Sequence, residues 1–390
     1  MGGKAMRALG LMSGTSMDGI DVALIETDGE NSVKRGPSMT FPYTAETRAR
    51  IVAGVAQART IEDRVERPGS LSALETEITE LHAAAVNAFR RKQGVGRADI
   101  DIVGFHGHTV LHRPPATRVE TQSNGVPFEV TAPGLTVQLG SGVLLSELTA
   151  LDVVHDMRAA DMSAGGQGAP LVPVYHRALA ASLPQRPLAI VNIGGVANVT
   201  WIGPDDAIGA FDTGPGNALV DDWMLKRTGS AFDEGGAVAA KGTVNEDVLR
   251  FYLAHPFFGA LPPKSLDRNA FPATPIDGLS LEDGAATLTA FAACAIARGR
   301  EHMPAEPALW VIAGGGRKNA TLMAMIAARV ENAVVPSDAV GLSGDALEAE
   351  AWGYLAVRSL NGLPLTFPGT TGVISPMTGG VLTRAPRAVV

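Results

Sequence analysis

The chain has 390 residues, of which 46% are hydrophobic and 18% charged, a composition typical of a folded protein with a sizeable core. At about 100–200 residues per domain, this length predicts two domains. Lys and Arg total 32 against 40 Asp and Glu, so the formal net charge is −8, and the lack of surplus cations argues against a nucleic-acid partner.

Cysteine usage and the apolar runs bear on the cell compartment. Cys294 is the one cysteine, so no disulfide can form within the chain, which suits a reducing compartment. No run approaches the ~18 apolar residues of a membrane span, and the first residues lack the apolar stretch of a secretory signal. We therefore expect a cytoplasmic protein without a membrane partner.

The first elements are two apolar runs that flank a turn of small polar residues. The turn and its edges read GLMSGTSMDGID, residues 10–21. Glycines let a ligand lie against the backbone, and turn N–H groups bind phosphate. Asp18 can face bound phosphate through a magnesium ion and its waters. The alternative is a turn-forming Asp before Gly19.

Helices and strands then alternate. Helical spacing of apolar residues predicts helices over 51–56, 71–92 and 143–150. Apolar runs predict strands over 100–105 and 153–154. The first strand is expected to end before the segment 106–109, HGHT. For the two histidines of this segment we favour hydrogen bonding to a substrate over zinc binding, because the sequence offers no further zinc ligands at fitting spacing. The glycine-rich segment 164–176 is predicted to be an irregular loop.

The second half of the chain opens as the first does. Strands are predicted over 188–192 and 196–202, and Gly194 and Gly195 form the turn between them. This match predicts a duplicated α/β domain with both turns at a cleft. A strand over 309–313, the turn of Gly314, Gly315 and Gly316, and a helix over 319–329 then form a common nucleotide-contact pattern. A last helix is predicted over 345–360.

One acidic residue stands where α/β folds place ligands. Asp212 is expected at the end of a short strand and the start of a glycine loop, in GAFDTGPGN, residues 209–217. It can serve as a general base or orient a nucleophile. The alternative is an Asx turn or a helix N-cap, for which Asp is also common.

Taken together, these blocks closely resemble the anhydro-N-acetylmuramic acid kinases. The likeness covers residues 10–380, through GLMSGTSMDGIDVALIE, GFHGHTVLHRP, TVQLG, AGGQGAPLVPVYH, VNIGGVANVT, FDTGPGNALVDDW, PPKS, AGGGRKNATLM and TTGVISPMTGG. That family belongs to the sugar kinase, heat-shock protein 70 and actin superfamily. The resemblance implies duplicated actin-like (ribonuclease H-like) α/β domains with a nucleotide and sugar cleft between them. The expected domains are residues 1–157 with 361–390, and residues 158–360.

The resemblance also implies a double reaction in peptidoglycan recycling and amino-sugar catabolism. Water opens a 1,6-anhydro sugar at C1 while O6 takes the γ-phosphoryl group of ATP, giving N-acetylmuramic acid 6-phosphate. Asp212 matches the catalytic aspartate, and Mg²⁺ is expected at Asp18. The expected ATP contacts are Gly14, Thr15, Ser16, Met17, Asp18, Gly19, Ile20, Asp21, Gly194, Gly195, Gly314, Gly315 and Gly316. The expected sugar contacts are His106, Gln138, Gly166, Gln167, Gly168 and Pro170.

Three departures from the family pattern stand out. The segment 106–109 reads HGHT where the family usually has HGQT, and residues 266–268 read LDR where Thr-Gly-Arg is usual. The segment 115–135 is longer than expected and is predicted to form an extended surface loop.

Two alternative functions stay open: a levoglucosan-type anhydrosugar kinase and a non-catalytic sugar sensor. The sequence does not decide the oligomeric state, for which a homodimer is one option, or the roles of Glu348 and Glu350.

Overall fold

The structure is a computed structural model that describes residues 3–14, 16–121, 127–268, 270–272, 274–342 and 346–386. The chain divides into two compact units: unit 1 comprises Met1–Leu179 with Ala346–Val390, and unit 2 comprises Ala180–Asp345. The domain bounds expected from the sequence stay a prediction. The compact units differ from them by residues 158–179 and 346–360, which belong to unit 1.

Strands and helices alternate along the described chain. The strands are β1 (Met6–Ser13), β2 (Gly19–Thr27), β3 (Val33–Pro42), β4 (Ile102–Arg113), β5 (Ala116–Thr121), β6 (Pro127–Ala132), β7 (Leu135–Leu139), β8 (Val153–His155), β9 (Leu188–Ile193), β10 (Val196–Ile202), β11 (Ile208–Pro215), β12 (Leu309–Ala313), β13 (Ala333–Pro336) and β14 (Val381–Thr383). The helices are α1 (Ala45–Ala58), α2 (Leu71–Gln93), α3 (Gly142–Thr149), α4 (Ala159–Ser163), α5 (Pro173–Ala180), α6 (Ala218–Thr228), α7 (Glu246–Leu253), α8 (Leu281–Arg298), α9 (Ala320–Ala327), α10 (Leu347–Leu360) and α11 (Pro368–Thr371).

The two units repeat one sheet topology. In unit 1, β1, β2 and β3 are consecutive antiparallel neighbours, while β4 lies parallel to β1 and β8 parallel to β4. In unit 2, β9, β10 and β11 are likewise antiparallel, with β12 parallel to β9 and β13 parallel to β12. The predicted duplication of an actin-like α/β domain is thereby confirmed.

Strand β4 is longer than the sequence predicted. It was expected to end at Phe105, but it continues to Arg113. The register between β1 and β4 shifts after the pair Leu11 and Phe105, because β4 carries one extra residue before His108. Gly107, with φ of 72°, takes up this bulge. The segment 106–109 therefore continues the strand through a bulge.

Asp212 also lies inside a strand and not at its end. Strand β11 runs on to Pro215, and Asp212 faces Asn198 of β10. The next paired residue is Gly214, so Thr213 is left over as a bulge beside Asp212. Bulges re-aim neighbouring side chains. The strand therefore continues past Asp212 and Gly214 and ends at Pro215, directly before Gly216.

The expected extended loop over 115–135 contains regular structure. Strands β5 and β6 pair antiparallel from Ala116 opposite Ala132 to Thr121 opposite Pro127. Alternating β-branched residues in RVET and FEVT favour strands. The prediction of a loop was therefore wrong for the two paired segments.

Helix α10 packs against β1 and β4 at positions where only glycine fits. A Cβ placed on Gly10 would lie 1.7 Å from the carbonyl oxygen of Ala349, and one on Gly104 would lie 1.9 Å from that of Trp352. The backbones thus touch directly, and Leu9 and Leu11, which flank Gly10, are fully buried.

Among the described residues, no helix combines the length and apolar character needed to cross a membrane.

We predict that Gly104→Ala destabilises unit 1. The new Cβ must push α10 off the sheet, and overpacking of this kind costs about 1–3 kcal/mol. Thermal unfolding should show a midpoint lowered by about 2–4 °C for each kcal/mol at this unit size. Gly259→Ala is the matched control, since a Cβ there meets no described atom within 4 Å. A Gly104→Ala protein as stable as the control would contradict the close packing.

Candidate active site

The carboxyl group of Asp212 is held against a neighbouring segment of unit 2. Its Oδ2 accepts a 2.8 Å hydrogen bond from the backbone N–H of Leu266, and its own backbone N–H donates to the carbonyl of Lys264 over 3.0 Å. The first contact restricts the rotation of the carboxylate, and the second fixes the backbone that carries it. The departure at residue 266 does not affect them, because Leu266 contributes only its backbone.

The surroundings of Asp212 make it more basic than an ordinary carboxylate. Burial raises its pKa to about 6, while the N–H of Leu266 and the charge of Lys264 act in the opposite direction. A general base works best when its pKa lies near the working pH. Asp212 is therefore ionised at neutral pH and still able to accept a proton from water. These properties suit the predicted base.

Lys264 is a buried cation that the sequence reasoning did not select. It is 9% exposed, and its Nζ donates to the carbonyl of Phe257 over 3.2 Å and lies 3.0 Å from Nε2 of His302. Burial lowers the pKa of Lys264, whereas the charge of Asp212 helps to raise it. The sequence feature that could have identified Lys264 is its position in the PPKS block, residues 262–265.

A second carboxylate with a raised pKa lies on α6. Burial raises the pKa of Asp221 to about 6, with Arg268 acting to lower it and Asp222 to raise it further. Arg268 donates to Asp222 over 2.7 Å. Arg268, the arginine of the LDR triplet, therefore pairs with Asp222 and partly offsets the raised pKa of Asp221. Sequence reasoning passed over Asp221 as a helix residue.

The glycine turns of unit 2 converge around Asn217. The backbone N–H of Asn217 donates to the carbonyl of Gly194 over 2.8 Å, and Gly216 donates to Gly195 over 2.9 Å. A Cβ on Gly315 would lie 3.6 Å from the Asn217 amide nitrogen, and one on Gly314 would lie 2.6 Å from the carbonyl oxygen of Ile193. Gly316 is similarly close to the side chain of Ile193. Five expected ATP contacts therefore lie together at one end of the β9 and β12 strands.

The glycine turn of unit 1 is compact and exposed at its tip. Met17 adopts a φ of 55°, and its N–H donates to the carbonyl of Gly14 over 3.1 Å. Ser16 and Asp18 are exposed, and the Ser16 hydroxyl donates to Oδ1 of Asp18 over 2.8 Å. Thr15, another expected contact, lies outside the described residues. A cavity of about 660 Å³ adjoins the turn, bounded by Met17, Asp18 and other residues.

The last three expected ATP contacts of this turn lie within β2. Gly19 is buried, and a Cβ on it would lie 2.5 Å from the carbonyl oxygen of Phe41. Ile20 is 2% exposed and belongs to the apolar core. Asp21 accepts a 2.5 Å hydrogen bond from the Thr40 hydroxyl. These residues build the hairpin that carries the turn, so their predicted contacts with ATP would be indirect or through the backbone.

Asp18 fits a magnesium site of the kind that phosphate completes. Within the described ranges, no cluster of three or more His, Cys, Asp or Glu residues could hold a metal by itself. Mg²⁺ commonly binds through one or two carboxylates, with substrate phosphates and waters as the other ligands. Asp18 is exposed in the turn where phosphate is predicted to bind, so its carboxylate fits that kind of site.

His106 and Gln138 line a polar cavity of about 170 Å³ in unit 1, together with Arg64 and Asp156. The Gln138 amide donates to the Thr136 hydroxyl over 2.7 Å. Nδ1 of His106 lies 3.0 Å from the carbonyl of Gly107, and burial lowers the pKa of His106 well below its usual value. A neutral His106 must carry its proton on Nδ1, which leaves Nε2 as an acceptor.

The irregular loop predicted over 164–176 ends at residue 172, because Pro173–Ala180 form α5. The remaining segment 164–172 is fixed by one buried carboxylate. Asp161 accepts hydrogen bonds from the N–H of Gly168 over 2.6 Å and from the hydroxyl of Thr371 over 2.6 Å. The N–H groups of Gly166 and Gln167 donate to the carbonyls of Asp161 and Thr371, over 2.9 and 2.8 Å. The partly buried Pro170 follows in the same segment. Asp161 was not predicted, because its role depends on residue 371, far along the chain.

Comparison with known proteins adds family information to this geometry. The sequence profile of one family, described as anhydro-N-acetylmuramic acid kinase, matches residues 6–385. An anhydro-N-acetylmuramic acid kinase of Azorhizobium caulinodans is 54% identical over 384 residues, or 97% of this chain and 99% of its own length. One from Brucella canis is 50% identical over 385 residues, with 97% and 98% covered. A solved ligand-bound xylulose kinase from Lactobacillus acidophilus aligns at 10% identity and a TM-score of 0.44, covering 91% of this chain and 89% of that one.

We predict that Gly14→Val weakens ATP binding by at least about tenfold, ~1.4 kcal/mol, without lowering stability. A Cβ on Gly14 meets Ser16 Oγ at 3.6 Å and Met12 Cε at 3.8 Å, which are ordinary contacts. The added side chain would, however, obstruct phosphate from approaching the turn. Calorimetric titration with ATP gives the affinity, and thermal unfolding gives the stability.

Gly19→Val is the contrasting variant, because its Cβ would collide with the Phe41 backbone. It should lower the unfolding midpoint as well as the affinity. Unchanged ATP affinity in a stable Gly14→Val protein would place the nucleotide away from this turn.

Proposed function

The chain belongs to the anhydro-N-acetylmuramic acid kinase family, and we propose that it uses ATP to convert 1,6-anhydro-N-acetylmuramic acid to N-acetylmuramic acid 6-phosphate. Water adds to C1 and the C1–O6 bond breaks. O6 then bonds to the γ-phosphorus of ATP as the bond to the β-phosphate oxygen breaks, and ADP leaves. The water proton passes to a base on the enzyme.

The environment of Asp212 carries this proposal. Its carboxylate is anchored through Oδ2 by the Leu266 N–H, and its pKa is raised to about 6 by burial. Glycoside hydrolysis by inversion usually needs a carboxylate base and a separate acid for the leaving oxygen. Here the phosphoryl group captures the leaving O6, so a single carboxylate base suffices.

The remaining residues position the two substrates. We propose triphosphate contacts at the exposed turn around Gly14 in unit 1 and at the glycine turns of unit 2, because residues without a Cβ let phosphate oxygens approach the backbone. Mg²⁺ held at Asp18 would neutralise charge on the phosphates. We assign the sugar to the cavity at His106 and Gln138 and to the Asp161-anchored loop. Since ATP is the donor, the reaction belongs in the cytoplasm, where it would serve cell-wall recycling.

The histidine that departs from the family pattern is compatible with this reaction. His108 is fully buried, and its Nδ1 lies 2.8 Å from the hydroxyl of Ser13. Burial lowers its pKa to about 4, so the imidazole is neutral throughout the range in which Asp212 is ionised. The substitution therefore adds no titration of its own near neutral pH.

Product analysis tests the proposal directly. The protein incubated with 1,6-anhydro-N-acetylmuramic acid, ATP and Mg²⁺ should yield one N-acetylmuramic acid 6-phosphate for each ADP, measured by mass spectrometry and phosphorus NMR. Levoglucosan, which lacks the N-acetyl and lactyl groups, should be a poorer substrate. Preferential turnover of levoglucosan, or ADP release without sugar phosphate, would contradict the proposed activity.

Asp212→Asn separates the base from the rest of the site in the same assay. The amide keeps the shape but cannot accept the water proton, so turnover should fall by about 10²–10⁴-fold. ATP affinity should stay near that of wild type. Near-normal turnover in the folded variant would show that another group is the base.

The pH dependence gives a further prediction about Lys264. Because Asp212 must be ionised, kcat/KM should fall as pH decreases through about 6. The Lys264 cation lowers the Asp212 pKa, so Lys264→Met should move this acidic limb to higher pH, whereas Lys264→Arg should largely preserve it. The measurement is kcat/KM as a function of pH between about 5 and 9. A Lys264→Met protein with lower activity, but with the acidic fall of kcat/KM at the same pH as in wild type, would assign Lys264 a structural role only.

A further inference from the structure

Arg158 connects two of the predicted sugar contacts in unit 1. Its Nε and Nη2 lie 3.3 and 3.1 Å from Nε2 of His106. Its Nη1 donates to the carbonyl of Gly168 over 2.8 Å. The guanidinium also lies over the ring of Trp352, 5.2 Å from its centroid. Arg158 is therefore held on three sides while it stays partly exposed.

The hydrogen bonds of Arg158 leave part of its donor capacity unused. A guanidinium has five N–H donors, and the described residues accept from Nε, Nη1 and Nη2 once each. One further N–H thus remains on Nη1 and one on Nη2. Two such N–H groups at the end of a guanidinium match the two oxygens of a carboxylate.

The charge of Arg158 also lacks a direct partner. Arg35, Arg64 and Arg67 form salt bridges with Glu350, Asp156 and Glu75, but Arg158 forms none with any residue that the structure describes. Two carboxylates act on it electrostatically from nearby, Glu348 more strongly than Asp161, and Asp161 already accepts hydrogen bonds from Gly168 and Thr371. Burial lowers the pKa of Arg158 to about 10, so it stays a cation at neutral pH.

We propose that Arg158 binds the lactyl carboxylate of the sugar and thereby selects N-acetylmuramic substrates over anhydro sugars that lack a carboxylate. This inference rests on the proposed function and names its specificity-determining residue. The lactyl ether is the group that distinguishes this sugar from 1,6-anhydro-N-acetylglucosamine. A guanidinium already fixed by His106, Gly168 and Trp352 loses little rotational freedom when a carboxylate binds.

His106 then acts on the sugar through Arg158 and not by direct contact. With Nδ1–H directed at the Gly107 carbonyl, its Nε2 accepts from Arg158. Stacking against Trp352, with ring centroids 4.4 Å apart, fixes the plane of the imidazole. His106 is thus a positioning residue for the cation, and its effect on sugar binding passes through Arg158.

The test compares three substrates: 1,6-anhydro-N-acetylmuramic acid, its methyl ester, and 1,6-anhydro-N-acetylglucosamine. Wild type should lose about 10- to 100-fold in kcat/KM when the carboxylate is esterified, a change expected for losing hydrogen bonds to a charged group. Arg158→Gln should lose the same factor on the acid and should treat acid and ester alike. Its kcat/KM on 1,6-anhydro-N-acetylglucosamine should change much less.

Arg358→Gln is the control for removing an arginine that hydrogen-bonds to the backbone of unit 1. Arg358 also bonds backbone carbonyls, those of Gly29 and Pro364, but it contacts none of the predicted sugar residues. Its loss should affect all three substrates equally. If Arg158→Gln does so too, or if wild type accepts the ester as well as the acid, the inference is overturned. Should Arg158→Gln fail to fold, Arg158→Lys replaces it; losing the two-pronged guanidinium should reduce the preference for the acid over the ester, and an unchanged preference would overturn the inference. Failure of wild type to turn over the acid at all would instead contradict the proposed function.

Discussion

Burial of one carboxylate, that of Asp212, is the constraint around which the chemistry of unit 2 is arranged. An ionised carboxylate out of water is unfavourable unless hydrogen bonds and nearby charge compensate. Here the Leu266 N–H and the Lys264 cation compensate partly, and the pKa settles at about 6. Stronger compensation would lower the pKa of Asp212 and make it a weaker base, and weaker compensation would raise the pKa further. The segment 264–266 thus sets how basic the residue is, and not only where it points.

The repeated topology explains how one fold holds two kinds of chemistry. Each unit has three antiparallel strands followed by two parallel strands, and each breaks its sheet with a bulge near a candidate site. In unit 1 the bulge at Gly107 separates His106 from His108. In unit 2 the bulge at Thr213 adjoins Asp212. The two bulges lie on different strands of the repeat, β4 and β11, so the same topology carries neutral imidazoles in one unit and a basic carboxylate in the other.

The sequence predicts those features that depend on local pattern. Helix α2, strand β10 and strand β12 have the predicted type, with bounds matched to within a residue. The glycine turns were also recognisable, because glycine spacing is a local signal. Strand β4 was predicted too short, since Gly107 reads as a loop former and only pairing with β1 and β7 reveals a bulge. The same holds for β11, where pairing with β10 carries the strand past Asp212.

The residues that sequence reasoning missed act through contacts between distant parts of the chain. Arg158 contacts His106 across 52 positions, and Lys264 contacts His302 across 38. Asp161 holds Thr371 across 210. No spacing rule reports such contacts, although all three residues stand near blocks that the family resemblance singles out.

The destination of the oxygen from water tests most directly whether ring opening and phosphoryl transfer are divided as proposed. The reaction is run in water enriched in oxygen-18, and the sugar phosphate is fragmented by mass spectrometry. If Asp212 directs water to C1, one heavy oxygen appears at the C1 hydroxyl, and none enters the phosphate. Heavy oxygen in the phosphoryl group, or a C1 hydroxyl without label, would contradict attack at C1 and remove the role of Asp212 as its base.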